Sequence, residues 1–184
     1  MKSIFPSYFC SLITPPNKDE MLKGIKNAKI DKKQEISWNK ICQVKVDVLH
    51  PDEIIALLSP SLSMFFREWG FGERKIELLN VWKNTYKKGM YQEVHDHLPH
   101  DISGSIFFED YNKDSGKFYF QNRHSSDIGY RWKKVFDDMN QPVISAEPRY
   151  KKGDIIFFPS HMLHGVTTVL TRERITVSFN INFI

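Results

Sequence analysis

Beyond Gly72 the chain is a succession of short apolar and aromatic runs, each closed off by turn chemistry. That rhythm restricts the fold more than any other feature. The runs 75–82, 90–97, 102–108, 117–120, 143–146, 154–158, 165–169 and 174–183 have the length and composition of strands. Lys87-Lys88-Gly89 separates the first two, and Asp114-Ser115-Gly116 is a hairpin signal ahead of Lys117. The 14 phenylalanines agree with a β-rich core, because aromatic side chains suit pleated, half-buried surfaces. Many short strands in series fold into a closed or two-sheet antiparallel architecture, such as a jelly roll.

The first part of the chain reads differently. Pro6 and Pro15-Pro16 leave residues 1–18 irregular. In 19–28, Met21, Leu22 and Ile25 fall on one side of a helix. Pro51 and the acids Asp52-Glu53 open a helix over 51–58. Ser59-Pro60 is expected to interrupt it, and a second helix to run over 61–69 until Gly70 and Gly72 end it. Residues 123–141 break the strand rhythm and read as a loop with a helical turn. The organisation expected is one domain over 1–184: helical support in 1–74, then a jelly-roll core in 75–184 that carries the site.

Composition narrows the function classes. At 184 residues a core can form without disulfide or metal staples. The net charge of +4 is spread over short lysine pairs such as Lys32-Lys33 and Lys151-Lys152, as solvated turns carry, so no nucleic-acid partner is expected. Cys10 and Cys42 form no metal-type pattern and are expected to be reduced core thiols. No signal-like start and no long apolar window appears, so a cytoplasmic protein without a membrane span is expected.

Of seven histidines, three fall in Glu93-Val94-His95-Asp96-His97-Leu98-Pro99-His100. On a strand His95 and His97 point one way and Asp96 the other, which makes a two-point metal clamp. Such a pair also occurs as plain polar decoration. A second element strengthens the metal reading: Gly153 launches the apolar run through Phe158, Pro159 ends it, and His164 begins the next strand. A strand-end pair followed by a strand-start histidine is a metal-site layout of double-stranded β-helix barrels. Arg174 follows, with Thr176 and Ser178 on the same face. An inward arginine needs an anionic partner, best a bidentate carboxylate; the alternative is local pairing with Glu173 or solvent.

Taken in order, His95-Asp96-His97, Ser103-Gly104, Ser115-Gly116-Lys117, Gly153 to Ser160, His164 and Arg174 to Asn180 resemble 2-oxoglutarate/Fe(II)-dependent oxygenases. The resemblance is to a subgroup common in marine bacteria and phages, distantly related to prolyl hydroxylases. Trp82-Lys83-Asn84 resembles the family's Trp-x-Asn element, and Phe5-Pro6 fits as well. The resemblance implies a double-stranded β-helix (jelly-roll) core behind N-terminal helices. It implies Fe(II) and 2-oxoglutarate as cofactor and co-substrate, with His95, His97 and His164 on the metal and Arg174 anchoring the far carboxylate of 2-oxoglutarate. Thr176, Asn84 and Tyr91 are further candidates for co-substrate contacts, and Tyr119 is another tyrosine within range of the same role.

The implied reaction hydroxylates a small-molecule or peptidyl substrate with molecular oxygen, releasing succinate and CO2. His97 departs from the family pattern, which places a carboxylate there. Either three histidines bind the metal, or Asp96, Asp101 or Glu93 completes the set. His161 is expected to line the entrance, His100 and His124 to lie at the surface, and His50 to serve local structure. Tyr130, Arg131 and Trp132 mark 123–141 as the segment expected to cover substrate. Two other functions compete: a cupin-type metal protein, and a non-catalytic binding module on the same fold. The oligomeric state is open, a homodimer included.

Overall fold

The computed structural model describes residues 9–32, 44–127, 130–139, 144–170 and 173–184. Cys42, Phe5-Pro6 and Arg172 lie outside them. The strands are β1 (Ser11–Ile13), β2 (Lys45–Leu49), β3 (Ile76–Lys87), β4 (Gln92–His95), β5 (Ile102–Phe107), β6 (Phe118–Gln121), β7 (Ser145–Ala146), β8 (Ile155–Pro159), β9 (His164–Val166) and β10 (Glu173–Phe183). The helices are α1 (Lys18–Asn27), α2 (Pro51–Trp69) and α3 (Tyr130–Asp138). Two antiparallel sheets result, ordered β1-β8-β5-β10-β3-β2 and β4-β9-β6-β7. This is the mainly β, double-stranded β-helix architecture expected from the sequence, with α1 and α2 packed on one face of the large sheet.

The large sheet separates two cores. Toward α1 and α2 it presents Val81, Ile106, Ile155, Phe157, Val177, Phe179 and Ile181, packed on Met21, Ile25, Leu58 and Phe65. Toward the small sheet it presents Tyr86, Phe107, Ile156 and Phe158, packed on Phe118, Phe120 and Val166. Strands buried on both faces explain the near-continuous apolar runs. The alternation survives in another form: Ser103, Ser105, Thr176, Ser178 and Asn180 occupy inner-face positions of β5 and β10. Gly104 lies over Phe179, and a Cβ there would sit 2.2 Å from the ring's Cζ.

The structure corrects some sequence expectations. Pro60 lies inside α2, which runs unbroken to the left-handed Gly70. An interior proline costs about 3 kcal/mol. Burial of Ile54, Leu58, Leu62 and Phe65 along the same face outweighs it. Residues 11–13 and 45–49 are strands at the two edges of the large sheet. Asp114-Ser115-Gly116 does not close a hairpin between β5 and β6: the two strands belong to different sheets, and the turn carries the chain across. Cys10 is exposed rather than buried. The 123–141 segment contains a 3-10 turn (Ser125–Asp127) and all of α3.

Candidate metal centre

Strand pairing builds the site. The β4–β9 ladder sets His95 directly opposite His164. His97 lies past the end of β4, so simple strand alternation does not place it. Its backbone N–H donates to Ser160 O (2.8 Å), which folds the residue back over the sheet. The three imidazoles converge, with their candidate ligand atoms all within 4.8 Å of one another.

The outer nitrogens explain why they converge in one protonation state. His95 Nδ1 is 2.8 Å from Glu93 O, and His164 Nδ1 is 2.9 Å from Met162 O. A carbonyl only accepts, so each Nδ1 carries the proton. His97 Nδ1 lies 2.9 Å from Asn180 Oδ1 and 2.9 Å from Ser103 Oγ. Ser103 Oγ also donates to Asn180 Oδ1 (2.9 Å) and reaches Ser160 Oγ (2.7 Å). Each Nε2 is left as an acceptor, that of His95 taking a hydrogen bond from Gln92 Nε2 (3.2 Å), and His95 Nε2 and His97 Nε2 are 3.1 Å apart. Two imidazoles on one metal at about 2.1 Å and at right angles would sit about 3.0 Å apart. The donor set therefore fits a divalent ion.

Electrostatics point the same way. Burial, then the neighbouring His97 and His95, holds His164 well below the ordinary histidine range. Burial and His95 bring His97 down to about 3. Burial lowers His95 too, against the Glu93 carbonyl and Asp96. All three are neutral near pH 7, the form in which imidazole binds metal.

No carboxylate joins them among the described residues. Asp96 turns outward to Arg123 (2.6 Å). Asp101 accepts from the Phe183 N–H (2.9 Å). Glu93 is exposed.

A small cavity of about 10 Å³ lies beside the histidines, lined among others by Trp82, Tyr86, Gln92, Phe118, Thr176 and Ser178. Arg174 stands two residues before Thr176 on the same inner face and is only 1% exposed. Its guanidinium carbon sits 5.6–5.8 Å from the ring centres of Tyr86, Phe107 and Tyr150. Nη2 donates to Tyr150 Oη (3.2 Å), while Nε and Nη1 are buried with no partner. A buried cation with unsatisfied donors is costly, and a carboxylate of 2-oxoglutarate suits both orphan donors. Local pairing of Arg174 with Glu173 is excluded, because Glu173 faces out.

The remaining expectations divide. Asn84 is buried, and its amide nitrogen reaches the hydroxyls of Thr176 (3.4 Å) and Ser178 (3.3 Å). Tyr91 is 37% exposed, whereas its neighbour Gln92 is buried and lines the cavity. Gln92 accepts from Tyr86 Oη (2.5 Å) and reaches His95 Nε2 (3.2 Å). His161 is exposed, and its carbonyl oxygen lies 3.4 Å from Arg123 Nη2. Gln92, Tyr86 and Asn180 are site residues to which sequence reasoning gave no role. Their signal was a polar atom at a position where the strand is buried.

A family model of 2OG-Fe(II) oxygenases matches residues 80–180, more than half of the chain and all of this site. The chain belongs to the 2OG-Fe(II) oxygenase family. It is therefore an oxidoreductase, and its cofactors are those of the family, iron(II) and 2-oxoglutarate. Among solved structures, this oxygenase is similar to a 2OG-Fe(II) oxygenase family oxidoreductase from Burkholderia pseudomallei (14% identity, 94% of this chain and 84% of that chain, TM-score 0.62). It is also similar to the viral collagen prolyl hydroxylase vCPH from Paramecium Bursaria Chlorella virus-1 in its 2OG complex (15%, 99% and 99%, TM-score 0.61). HygX from Streptomyces hygroscopicus with nickel and 2-oxoglutarate bound is a third (11%, 97% and 84%, TM-score 0.60). At such identities the likeness shows the fold. No curated protein matches the oxygenase. No described helix is long and apolar enough to cross a membrane.

Proposed function

We propose that His95, His97 and His164 hold the iron(II) of this oxygenase, and that Arg174 and Thr176 receive the far carboxylate of 2-oxoglutarate. The observation that carries this reading is the convergence of three neutral imidazoles, with His95 and His97 Nε2 3.1 Å apart, on a strand system that ends at a buried arginine with orphan donors. Iron(II) with 2-oxoglutarate and oxygen supplies the oxidising chemistry, in which one oxygen atom goes to substrate as a hydroxyl and the other to succinate, with release of CO2.

The chain's own residues do the rest. Glu93 O, Asn180 and Met162 O fix the three rings in the metal-binding tautomer. Asn84 orients the Thr176 hydroxyl beside Arg174. Trp82, Phe118 and Phe158 wall the cavity against water, which strengthens each charged contact inside it. The substrate is a small molecule or a peptidyl group, and the likeness to a viral collagen prolyl hydroxylase makes prolyl peptides the first class to assay. This reading places the enzyme in the cytoplasm as one domain over 1–184, acting on neither nucleic acid nor membrane.

Anaerobic iron(II) plus 2-oxoglutarate is expected to give a weak visible charge-transfer band. Bound iron without that band defeats the proposal. Arg174→Ala should weaken 2-oxoglutarate binding about 100-fold, the scale of a charged hydrogen-bond pair worth about 3 kcal/mol. Unchanged affinity by calorimetry would reassign the anchor. Succinate release over a panel of peptides and metabolites, against uncoupled turnover, then identifies the substrate class.

A further inference from the structure

A second carboxylate stands beside the arginine anchor. In the β5–β10 ladder Thr176 lies opposite Phe107 and Val177 opposite Ile106. Glu109 lies two residues beyond the end of this ladder, close enough to Arg174 for the guanidinium charge to act on its carboxyl. The chain bends at Phe108 and Glu109, and the two side chains do not close into an ion pair among those of the described residues. Both keep buried polar atoms without hydrogen-bond partners: Oε1 of Glu109, and Nε and Nη1 of Arg174. One acceptor and two donors thus stand unsatisfied in one electrostatic neighbourhood, with Tyr150 Oη bound to the third guanidinium nitrogen. A native interior leaves such groups unpaired only where something else completes them.

A carboxylate of 2-oxoglutarate satisfies the arginine donors but not Glu109. It would bring a second anion toward an acid that can only accept while ionised. Two carboxylates at one guanidinium settle this by holding one proton between them. We infer that Glu109 is a second anchor for the co-substrate: as the neutral acid it donates a hydrogen bond to the carboxylate that Arg174 binds, so that binding takes up one proton. The inference rests on the reading of Arg174 as the co-substrate anchor.

The surroundings favour the neutral acid. Burial raises Glu109 from its ordinary value, against the lowering effect of Arg174 and of the Ser115 hydroxyl. The other groups facing this cluster are the phenols of Tyr150 and Tyr111. Tyr111 in turn donates to Glu147, which pairs with Lys117. None of these supplies a further cation to Glu109.

The test is calorimetric titration of 2-oxoglutarate into manganese(II)-loaded full-length protein, between pH 6 and 9, in pairs of buffers that differ in ionisation enthalpy. The wild type should take up close to one proton per ligand at the alkaline end. Its affinity should fall by up to about tenfold per pH unit as pH rises above the Glu109 pKa of the free protein. Glu109→Gln keeps a donor and loses the acid, so it should show no uptake, a flat profile and tighter binding than wild type at pH 9. A role confined to packing would not produce that crossover.

A wild type with no uptake and a flat profile overturns the inference, as does a Glu109→Gln protein that keeps the wild-type slope. Should Glu109→Gln fail to fold, Glu109→Ala is held to the same loss of uptake. A manganese-loaded wild type that does not bind 2-oxoglutarate at any pH strikes instead at the anchor reading of Arg174.

Discussion

Each histidine of the centre is held in its tautomer by an acceptor at Nδ1, and at His97 side chains supply it, Asn180 Oδ1 and Ser103 Oγ. Asn180 Oδ1 is 2.9 Å from His97 Nδ1 and is itself bonded to Ser103 Oγ. Asn180→Ala leaves only the Ser103 hydroxyl, which can donate as well as accept, and so lets the ring carry its proton on Nε2, where it blocks the metal. Loss of an outer partner of this kind lowers metal affinity about 10- to 100-fold. Asn180→Asp keeps the acceptor and should retain most of the affinity. Cobalt(II) titration against a competing chelator measures both. At this scale the sequence was informative where chemistry repeats with the strand period. His95 and His164 stand at strand ends, and Arg174 follows on an inward face. His97 was reached by an alternation argument that its actual position past the end of β4 does not support. Asn180 and Ser103 sat in quoted motifs without a role, because a partner 83 or 6 residues away in the chain leaves no local pattern. Tyr91 was named among several strand tyrosines, and nothing local in the sequence marked its neighbour Gln92 as the buried one.

At the scale of elements, the connections that hold ligands matter more than the strands. Arg123, at the start of the segment that leads to α3, reaches Asp96 Oδ2 (2.6 Å) between His95 and His97. The same Nη2 lies 3.4 Å from the carbonyl of His161, three residues before His164. Both partners of this ion pair are partly exposed, at 45% and 27%. A pair of that kind is worth about 0.2–1 kcal/mol. Arg123→Ala should therefore weaken cobalt(II) binding by no more than about fivefold, well short of Asn180→Ala in the same titration. β5 poses the opposite case, a packing constraint. Gly104→Ala drives a methyl into the Phe179 ring at 2.2 Å and should destabilise the protein by about 1–3 kcal/mol. Its denaturant midpoint reads this out. The strands of β5, β8 and β10 were legible as apolar runs. β1 and β2 were not, since three to five residues at a sheet edge carry too little pattern to outweigh nearby prolines or polar neighbours. Pro60 misled for the converse reason, because its helix is held by tertiary burial that no local rule contains.

Across the whole molecule, the large sheet divides stability from chemistry. Its outer face packs on α1 and α2 and contains none of the metal-facing groups. Its inner face shares a core with the small sheet, and there Phe118 and Phe158 lie against His164, with ring centres 5.5 and 4.8 Å away. Damage to the two cores should therefore have separable consequences. Leu58 is fully buried on the helical side, so Leu58→Ala should cost about 2–5 kcal/mol of stability. It should leave the cobalt(II) dissociation constant at 25 °C unchanged, because no ligand packs on that layer. Phe158→Ala should cost about 3–5 kcal/mol and also weaken the metal, since it removes a wall that keeps the His164 ring aligned and dry. Denaturant melts of the metal-free proteins give the first quantity, and chelator competition gives the second. Equal losses of metal affinity in the two variants would mean that the sheet transmits strain between its faces, and that the helical layer tunes the iron site as well as supporting it. Equal stability losses with only Phe158→Ala weakening the metal would confirm that the division follows the sheet.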